Sequence, residues 1–482
     1  MKKVFGKILP WIILVLVIGG LGVWYFLSQR VTQDEISQYD GIVKEAEAFF
    51  EVKEYSQAIR KYQDASEIIP SRLRAYEGIV DILLLKNRVN DATEIIGKSA
   101  RALSSNDRSV LLGKVGNYYY TQGDYSKAKD IYQDSLGLGV NNMSSEFMLA
   151  KTLLKLGKIQ EARAELNKGG YPEELVSEVT LLLAYIDSVT DTGKAKSLLS
   201  SVTPSEDWKP YFDEFSQVLN TLDDNVKYNA TKLSRIYLNN GFPYLAISLL
   251  EPLEKDIAEY LDALYFLGKA YYQVGEWDKS IATLEKALTL GGLESDIFWL
   301  KGRVYLHLTD LDGSIRSYQR ALDYAGVSVS QDLVNEYVDV LLDNEQTLKA
   351  QDVVRKLLLV KGDPYLLLLG LRIEYLMKDN QKIDYYVSQL AKKDMSEVEK
   401  MEYLYWKATV LLDREESDGV DTILEELLAF SKYNPKYYLL KGRLDILNGK
   451  KDDGLKALEI ALEYDLDSSI TQEASALLSN TK

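Results

Sequence analysis

The sequence predicts an all-α chain built from repeated helical hairpins. A small residue recurs at intervals close to 34 residues along most of the 482-residue chain. Its occurrences are Ala58, Ala92, Ala128, Ala162, Ala195, Ala246, Ser280, Ser314 and Ala350. A large residue often follows this marker by four positions and an alanine by seven, and both offsets lie on one face of a helix. A repeat of this length indicates one supersecondary unit that buries its apolar face only against neighbouring units.

A second small residue lies twelve positions before several of these markers, as at Gly268 and Gly302. It predicts the point at which the two helices of a hairpin approach closely. A large ring follows three positions later, at Tyr271 and Tyr305, and we expect it to fill the wedge between the helices. The turn between the helices often contains glycine, as at Gly275, which can take the left-handed conformation that ends a helix.

This pattern resembles the tetratricopeptide repeat (TPR) family. The resemblance is strongest in YFLGKAYYQVGEWDKSIATLEKAL (265–288) and extends over most of the chain. It implies a right-handed α-solenoid of about 11–12 helical hairpins. It also implies that the chain works by binding protein or peptide partners. The N-terminal composition, described below, predicts that one transmembrane helix precedes the solenoid.

The repeat spacing and the N-terminal composition predict the order of segments along the chain. The step from Ala195 to Ala246 is 51 residues, which predicts an extra helix between two repeat blocks. An end repeat must present a solvated face, so we expect a capping helix at the C-terminus. The predicted segments are a cytoplasmic basic N-terminus (1–7), a transmembrane signal anchor (8–27), a linker (28–38), TPR block 1 (39–203), an inserted helix (204–226), TPR block 2 (227–466) and a C-terminal capping helix (467–482).

The anchor is predicted from residues 8–27, which carry no charge. Such a stretch can cross a hydrocarbon core of about 30 Å at 1.5 Å per residue. Three lysines precede it, and only Arg30 follows it before acidic residues begin. The positive-inside rule then places the N-terminus in the cytoplasm and the repeats on the extracytoplasmic side of the cytoplasmic (inner) membrane. A cleaved signal peptide is the alternative, although its apolar core would be long and no small-x-small site follows it.

Composition argues against several classes of function. The net charge is −16, from 57 basic and 73 acidic residues, which disfavours nucleic acid as a partner. The chain has no cysteine, so it has no thiolate metal site and no cysteine nucleophile. Its single histidine, His307, leaves almost no material for a Ser-His-Asp arrangement or a histidine metal site. We therefore predict no enzyme activity, no catalytic or metal-binding residue and no cofactor.

The residues predicted to bind a partner lie on the first helices of the hairpins, which line the concave face of the superhelix in the TPR family. In the second block these helices carry a basic residue just after their small residue, with aromatic or apolar residues one turn away on either side. The predicted peptide-binding groove consists of Arg235, Tyr265, Lys269, Tyr272, Trp299, Arg303, Arg372, Tyr375 and Arg443. A cationic floor between apolar walls suits a peptide with acidic segments or a free C-terminus. The alternative is a groove that neutralises itself, through Asp262 and Asp296.

These observations predict a membrane-anchored, bacterial-type TPR scaffold that binds protein or peptide partners in an envelope, secretion or assembly complex. One alternative keeps the repeats in the cytoplasm, as in membrane-anchored TPR regulators of envelope biogenesis. Those regulators carry a cysteine metal domain, which this chain lacks. Another alternative is a non-catalytic component of a glycan or solute-handling system.

Overall fold

The computed structural model describes residues 31–432, 434–464 and 468–481. Within these ranges the regular elements are helices only, with 26 α-helices and three short 3-10 segments. The predicted all-α class is therefore confirmed. The chain divides into two compact units, residues 1–254 and 255–482.

The first unit contains six helical hairpins and one single helix in its described part. The hairpins pair α1 (Gln33–Glu51) with α2 (Tyr55–Ile68), α3 (Leu73–Leu85) with α4 (Val89–Lys98), α5 (Ser105–Thr121) with α6 (Tyr125–Gly137), α7 (Met143–Lys155) with α8 (Ile159–Leu166), α9 (Glu173–Ser188) with α10 (Thr192–Ser200) and α12 (Val226–Asn239) with α13 (Pro243–Leu250). The single helix is α11 (Lys209–Asn220), which lies inside the predicted insertion 204–226.

The second unit contains six more hairpins and a last helix among its described residues. The hairpins pair α14 (Leu261–Gln273) with α15 (Trp277–Leu288), α16 (Glu294–His307) with α17 (Leu311–Ala325), α18 (Gln331–Asp343) with α19 (Thr347–Leu358), α20 (Pro364–Met377) with α21 (Asn380–Leu390), α22 (Glu397–Asp413) with α23 (Val420–Phe430) and α24 (Pro435–Leu447) with α25 (Lys451–Tyr464). The last helix is α26 (Ser468–Thr481), which packs on the sixth hairpin of this unit.

In eleven of the twelve described hairpins the turn contains at least one residue in the left-handed conformation. Glycine takes this position in five turns, at Gly123, Gly157, Gly241, Gly275 and Gly449. Six other turns place a non-glycine residue there, at Lys53, Asn87, Thr309, Glu345, Lys378 and Glu415. The glycine signal in the sequence therefore identified fewer than half of the turns, because the backbone hydrogen bonds that close the turn hold other residue types in a region that costs them about 1–2 kcal/mol.

The close approach of the two helices is confirmed at the small residue of the first helix. A β-carbon added to Gly302 would lie 2.9 Å from the ring of Tyr318, and one added to Gly268 would lie 2.7 Å from the side chain of Leu284. Tyr318 and Leu284 are both buried and both belong to the second helix of the hairpin. The residue that fills the contact is thus the large residue four positions after the marker.

The ring on the first helix has a different position from the one that we predicted. Tyr237 and Tyr271 are buried, but Tyr119 and Tyr305 are only half-buried. A side chain three positions after the small residue lies almost one full turn along the helix, so it reaches the edge of the hairpin more often than its centre. The prediction that this ring fills the space between the two helices is therefore wrong for some of the hairpins.

An aromatic cluster joins α11 to its neighbours in the first unit. The ring of Tyr185 lies 4.6 Å from that of Phe215, 5.8 Å from that of Tyr237 and 6.1 Å from that of Phe242, measured between centroids. Tyr237 is fully buried, and its hydroxyl is 2.7 Å from that of Ser188. These rings replace the regular repeat interface at the 51-residue step.

Several predictions about the N-terminus fall on residues that the structure does not describe. The basic N-terminus (1–7) and the transmembrane anchor (8–27) lie outside the described residues. Among the described helices, none combines the length and the apolar character that a membrane span requires. The handedness of the superhelix and the predicted block boundaries stay predictions.

We expect a larger side chain at Gly116 to destabilise the first unit. A β-carbon there would lie 2.5 Å from the ring of the fully buried Tyr132, whose hydroxyl is held by Asn117 at 2.6 Å. Gly116→Leu should cost about 1–3 kcal/mol or more. The control is Gly97→Leu, since Gly97 is an exposed helical glycine with open space around it, and leucine there should stabilise its helix by up to about 1 kcal/mol. Thermal unfolding measures both, and equal melting of the two variants would contradict the close approach.

Candidate binding groove

A groove crosses the first helices of the second unit near its C-terminal end. It is lined by α20, α22 and α24, by the last residue of α23 and by α26, and it has a volume of about 570 Å³. Its apolar surface includes Met401, Tyr405, Trp406, Phe430 and Ile470. Its charged lining residues are Arg372, Glu402, Lys436 and Glu473. We call this the C-terminal groove.

The repeat register explains which side chains reach the C-terminal groove. Tyr405 lies three positions before the buried small residue Ala408, as Trp299 does before Gly302. The C-terminal groove is therefore built from the first-helix positions that the sequence predicted to bind a partner, but in later hairpins. The predicted groove positions were chosen around a basic residue directly after the small residue, and Ala408 is followed by Thr409. The sequence therefore did not point to Glu402, Tyr405, Trp406 or Lys436. The offset from Ala408 is the signal that identifies Tyr405.

The predicted groove residues do not form one site. Arg372 lines the C-terminal groove, and Tyr375 lines a neighbouring cavity, where its hydroxyl donates a hydrogen bond to Asp413 at 2.5 Å. Arg443 lies on α24, and Arg235 is exposed on α12 of the first unit. The first two hairpins of the second unit carry the remaining predicted residues, which are Tyr265, Lys269, Tyr272, Trp299 and Arg303. The structure brings together Trp299 with Arg303, and Tyr375 with Arg443 through their shared partner Asp413.

Arg303 is neutralised by Glu336 of the next first helix. Glu336 accepts hydrogen bonds from Arg303 Nε at 2.9 Å, from the indole of Trp299 at 2.8 Å and from the hydroxyl of Tyr318 at 3.0 Å, and Arg303 Nη2 also contacts it. Burial acts to raise the pKa of Glu336, but the bonds from Arg303 and Trp299 outweigh it and hold the pKa below its ordinary value. The sequence signal for this contact is a carboxylate 34 residues after Gly302, where other repeats have glycine.

Other basic residues on the first helices are paired in the same way. Arg372 binds Asp339 at 2.7 Å, and Arg443 binds Asp413 and lies 3.7 Å from Glu473. In the first unit the equivalent pairs are Arg74 with Glu47, Lys114 with Asp81 and Lys151 with Glu178. The prediction of a groove floor made of free cations is thus wrong for Arg303, Arg372 and Arg443. Their partners come from the first helix of a neighbouring hairpin or from α26, and neither Asp262 nor Asp296 forms an ion pair among the described residues.

Two of the predicted cations have no ion pair among the described residues. Lys269 is half-buried beside Tyr265, whose pKa burial raises to about 12, and Arg235 is exposed. Tyr272 lies three residues after Lys269 and is also half-buried, and burial raises its pKa. Lys269 therefore remains able to bind an anion.

Glu402 is the unusual ionisable group of the C-terminal groove. Glu402 is exposed at the surface of the groove. The surrounding groove walls nevertheless displace bulk water from its carboxylate, and this desolvation raises its pKa. The nearby indole of Trp406 and the charges of Arg372 and Lys436 oppose the shift without cancelling it. Glu402 forms no ion pair within the described part of the chain. A carboxylate kept unpaired in a desolvated concave surface is a candidate ligand contact.

His307 packs against another aromatic ring. Its imidazole stacks on the indole of Trp277 with centroids 4.3 Å apart and an interplanar angle of 3°. This contact joins two neighbouring hairpins and gives the histidine a packing role. Among the described residues, no group of three or more His, Cys, Asp or Glu side chains is placed to hold a metal ion.

Comparison with known proteins identifies the repeats. A family model described as tetratricopeptide repeat matches residues 231–294 and again 265–328. Residues 231–328 therefore match tetratricopeptide repeats, and the chain contains this repeat. A second model, described as anaphase-promoting complex, cyclosome, subunit 3, matches residues 85–169. No curated protein sequence matches the chain significantly.

Solved structures of low sequence identity align along this TPR protein. The APC/C hetero-tetramer Cut9-Hcn1 is 13% identical, with 92% of this chain and 96% of that chain covered and a TM-score of 0.36. Yeast Tom70 is 14% identical, with coverages of 93% and 96% and a TM-score of 0.37. Naa15/Naa10 bound to HypK-THB is 13% identical, with coverages of 92% and 86% and a TM-score of 0.36. The family assignment rests on the sequence match and on the hairpins themselves.

We expect Glu336→Gln to destabilise the second unit of the TPR protein at neutral pH by about 1–2 kcal/mol, because it weakens charge-assisted bonds at a partly exposed site. The folded-state pKa of Glu336 is lowered, so its contribution is present above the unfolded-state pKa of about 4.3 and is lost as the pH falls through the folded-state value. Denaturant unfolding of both proteins against pH measures this difference. Asp352→Asn is the control, since Asp352 is a half-buried carboxylate whose ion pairs lie within one helix. A difference that grows in acid would contradict the assignment.

We expect Glu402→Gln to stabilise the second unit at neutral pH, because it removes a desolvated charge. The folded-state pKa of Glu402 is raised, so its cost is fully present above that value and disappears as the pH falls through it. Hydrogen exchange of α22, compared between wild type and variant across pH, measures the effect. The control is Glu425→Gln on the exposed face of α23. Destabilisation by Glu402→Gln at neutral pH would show that the carboxylate supports the fold.

Proposed function

We propose that this TPR protein is a membrane-anchored scaffold that binds peptide segments of protein partners in an envelope, secretion or assembly complex. The observation that carries the proposal is the C-terminal groove, in which aromatic side chains and unpaired charges converge on the first helices. TPR repeats support protein binding in general. The groove adds a surface with apolar anchors and a small number of polar groups, which is the composition that peptide-binding sites use.

The membrane anchor and the location of the repeats rest on the sequence. An uncharged stretch at 8–27 with lysines before it supports a signal anchor whose C-terminal side lies outside the cytoplasm. The negative charge of the repeats also suits a surface that stays soluble next to a membrane. A cytoplasmic location of the repeats is the alternative, and it would reverse the predicted orientation without changing the binding surface.

The ion pairs on the first helices revise the proposed partner chemistry. A peptide with acidic groups or a free C-terminus was expected to meet five cations, but Arg303, Arg372 and Arg443 already have carboxylate partners. Lys269 and Lys436 are the first-helix cations of the second unit for which we propose contact with a partner carboxylate. Binding then depends more on aromatic anchors such as Trp406 than on net charge.

We propose that the protein acts by binding and not by catalysis. Desolvation in the groove raises the pKa of Glu402, an ion pair lowers that of Glu336, and His307 is stacked on Trp277.

Truncation of Trp406 should weaken partner capture. We expect Trp406→Ala to lower affinity by about 2 kcal/mol or more, because buried aromatic anchors dominate interface energies, and the loss should persist at high salt. The measurement is crosslinking capture from detergent-solubilised envelope membranes, quantified for each captured protein. The control is Tyr324→Ala, an exposed ring on the second helix α17. Equal loss in both variants, or none in Trp406→Ala, would move the binding surface away from the C-terminal groove.

The anchor is tested by protease treatment of spheroplasts. Digestion of the repeats with protection of the N-terminus supports the proposed orientation, whereas protection of the repeats supports the cytoplasmic alternative. The N-terminal sequence of the mature protein separates an uncleaved anchor from a cleaved signal peptide.

A further inference from the structure

The C-terminal groove holds two opposite charges that do not pair with each other. Arg372 is bound by Asp339, and Glu473 lies 3.7 Å from Arg443. Of the charged residues that line the groove, Glu402 and Lys436 alone form no ion pair among the described residues. Because a salt bridge needs a separation of 4 Å or less, their charged atoms lie farther apart than that.

Glu402 and Lys436 stand on neighbouring first helices with an aromatic surface beside them. Glu402 projects from α22 beside Trp406, and the ammonium of Lys436 on α24 lies 5.8 Å from the ring centroid of Tyr405. The exposed side chains of Val398 and Phe430 lie on the same groove. The available chemistry is therefore one carboxylate, one ammonium and an apolar surface.

We propose that the C-terminal groove recognises a peptide segment of mixed charge, in which one basic and one acidic side chain flank a large apolar side chain. The basic side chain pairs with Glu402, the acidic side chain pairs with Lys436, and the apolar side chain packs on Trp406. This inference rests on the proposed function, and it replaces the purely acidic peptide as the ligand of this groove.

Electrostatic interactions in the groove favour a peptide of mixed charge over a purely acidic or a purely basic peptide. A purely acidic segment meets Lys436 but is repelled by Glu402, and a purely basic segment meets Glu402 but is repelled by Lys436. Water is partly displaced in the groove, so like charges repel more strongly there than on an open surface. Only the mixed segment satisfies both groups, and the two unpaired charges then act against wrong partners as well as for the right one.

The test uses the detergent-solubilised full chain and fluorescein-labelled seven-residue peptides with a central leucine. The two mixed peptides contain the sequence Lys-Ala-Leu-Ala-Glu or its reverse, Glu-Ala-Leu-Ala-Lys. In the two comparison peptides, both charged residues are Glu or both are Lys. Fluorescence anisotropy at low salt measures affinity. We expect the better mixed peptide to bind at least tenfold more tightly than either comparison peptide. Tightest binding of the acidic peptide would overturn the inference but keep peptide binding, and no binding of any peptide would overturn both.

Charge variants of the groove give an independent readout. Glu402→Lys should shift preference to the acidic peptide, and Lys436→Glu should shift it to the basic peptide. The controls are Glu425→Lys and Lys456→Glu, which make the same charge changes on the exposed second helices α23 and α25. Unaltered preference in the groove variants, or the same shift in the controls, would place the recognition outside the groove.

Acid should weaken binding of the mixed peptide through Glu402. The charged groups around Glu402 are Glu399 on its own helix, Arg372 on α20, Lys436 on α24 and Glu473 on α26. Desolvation raises the pKa of Glu402, so it loses its charge before an ordinary glutamate as the pH falls. Glu402→Gln should bind the mixed peptide more weakly and show a smaller change with pH. A pH profile that is identical in wild type and Glu402→Gln would exclude Glu402 from the contact.

Discussion

The close approach of two helices at one small residue is the constraint on which the hairpins depend. Where Gly302 faces Tyr318 and Gly116 faces Tyr132, no room remains for a β-carbon, and the buried ring of the second helix fixes how near the first helix can come. Since the same contact recurs in later hairpins, at Gly370 with Tyr386 and at Gly442 with Leu458, each hairpin has a similar cross-section. Hairpins of similar shape stack in register, and their first helices then form one continuous surface within a unit.

Ion pairs between first helices decide what that surface can bind. Arg303 with Glu336 and Arg372 with Asp339 each join neighbouring hairpins, and the first unit has similar pairs. Partly exposed pairs of this kind add at most about 1–2 kcal/mol each, and they also remove charge from the binding surface. A group on the same surface without an ion pair, such as Lys269 or Glu402, then keeps a charge that its paired neighbours have lost. Binding specificity comes from these exceptions to the pairing.

Much of the fold could be predicted from the sequence, because the spacing of Ala58, Ala92 and the later markers reports a contact inside every repeat. The turns were harder to predict. Left-handed residues such as Lys53 and Thr309 are held by backbone hydrogen bonds and leave no residue-type signal. The candidate site was harder still. Whether a first-helix cation is free depends on the neighbouring hairpin about 30 residues away, and the pairing of Arg303 with Glu336 follows from the stacking of hairpins.

Glu402 shows how a binding surface departs from the best arrangement for stability. Nothing in the fold requires a carboxylate in the C-terminal groove, and the charges of Arg372 and Lys436 do not compensate for its desolvation. In other repeats a first-helix carboxylate gains a partner, as Asp339 and Glu336 do, and its charge is then stabilised by direct contact. Sites that keep a destabilising polar group commonly do so for function. A groove that leaves both Glu402 and Lys436 without partners is therefore arranged for a ligand that brings both.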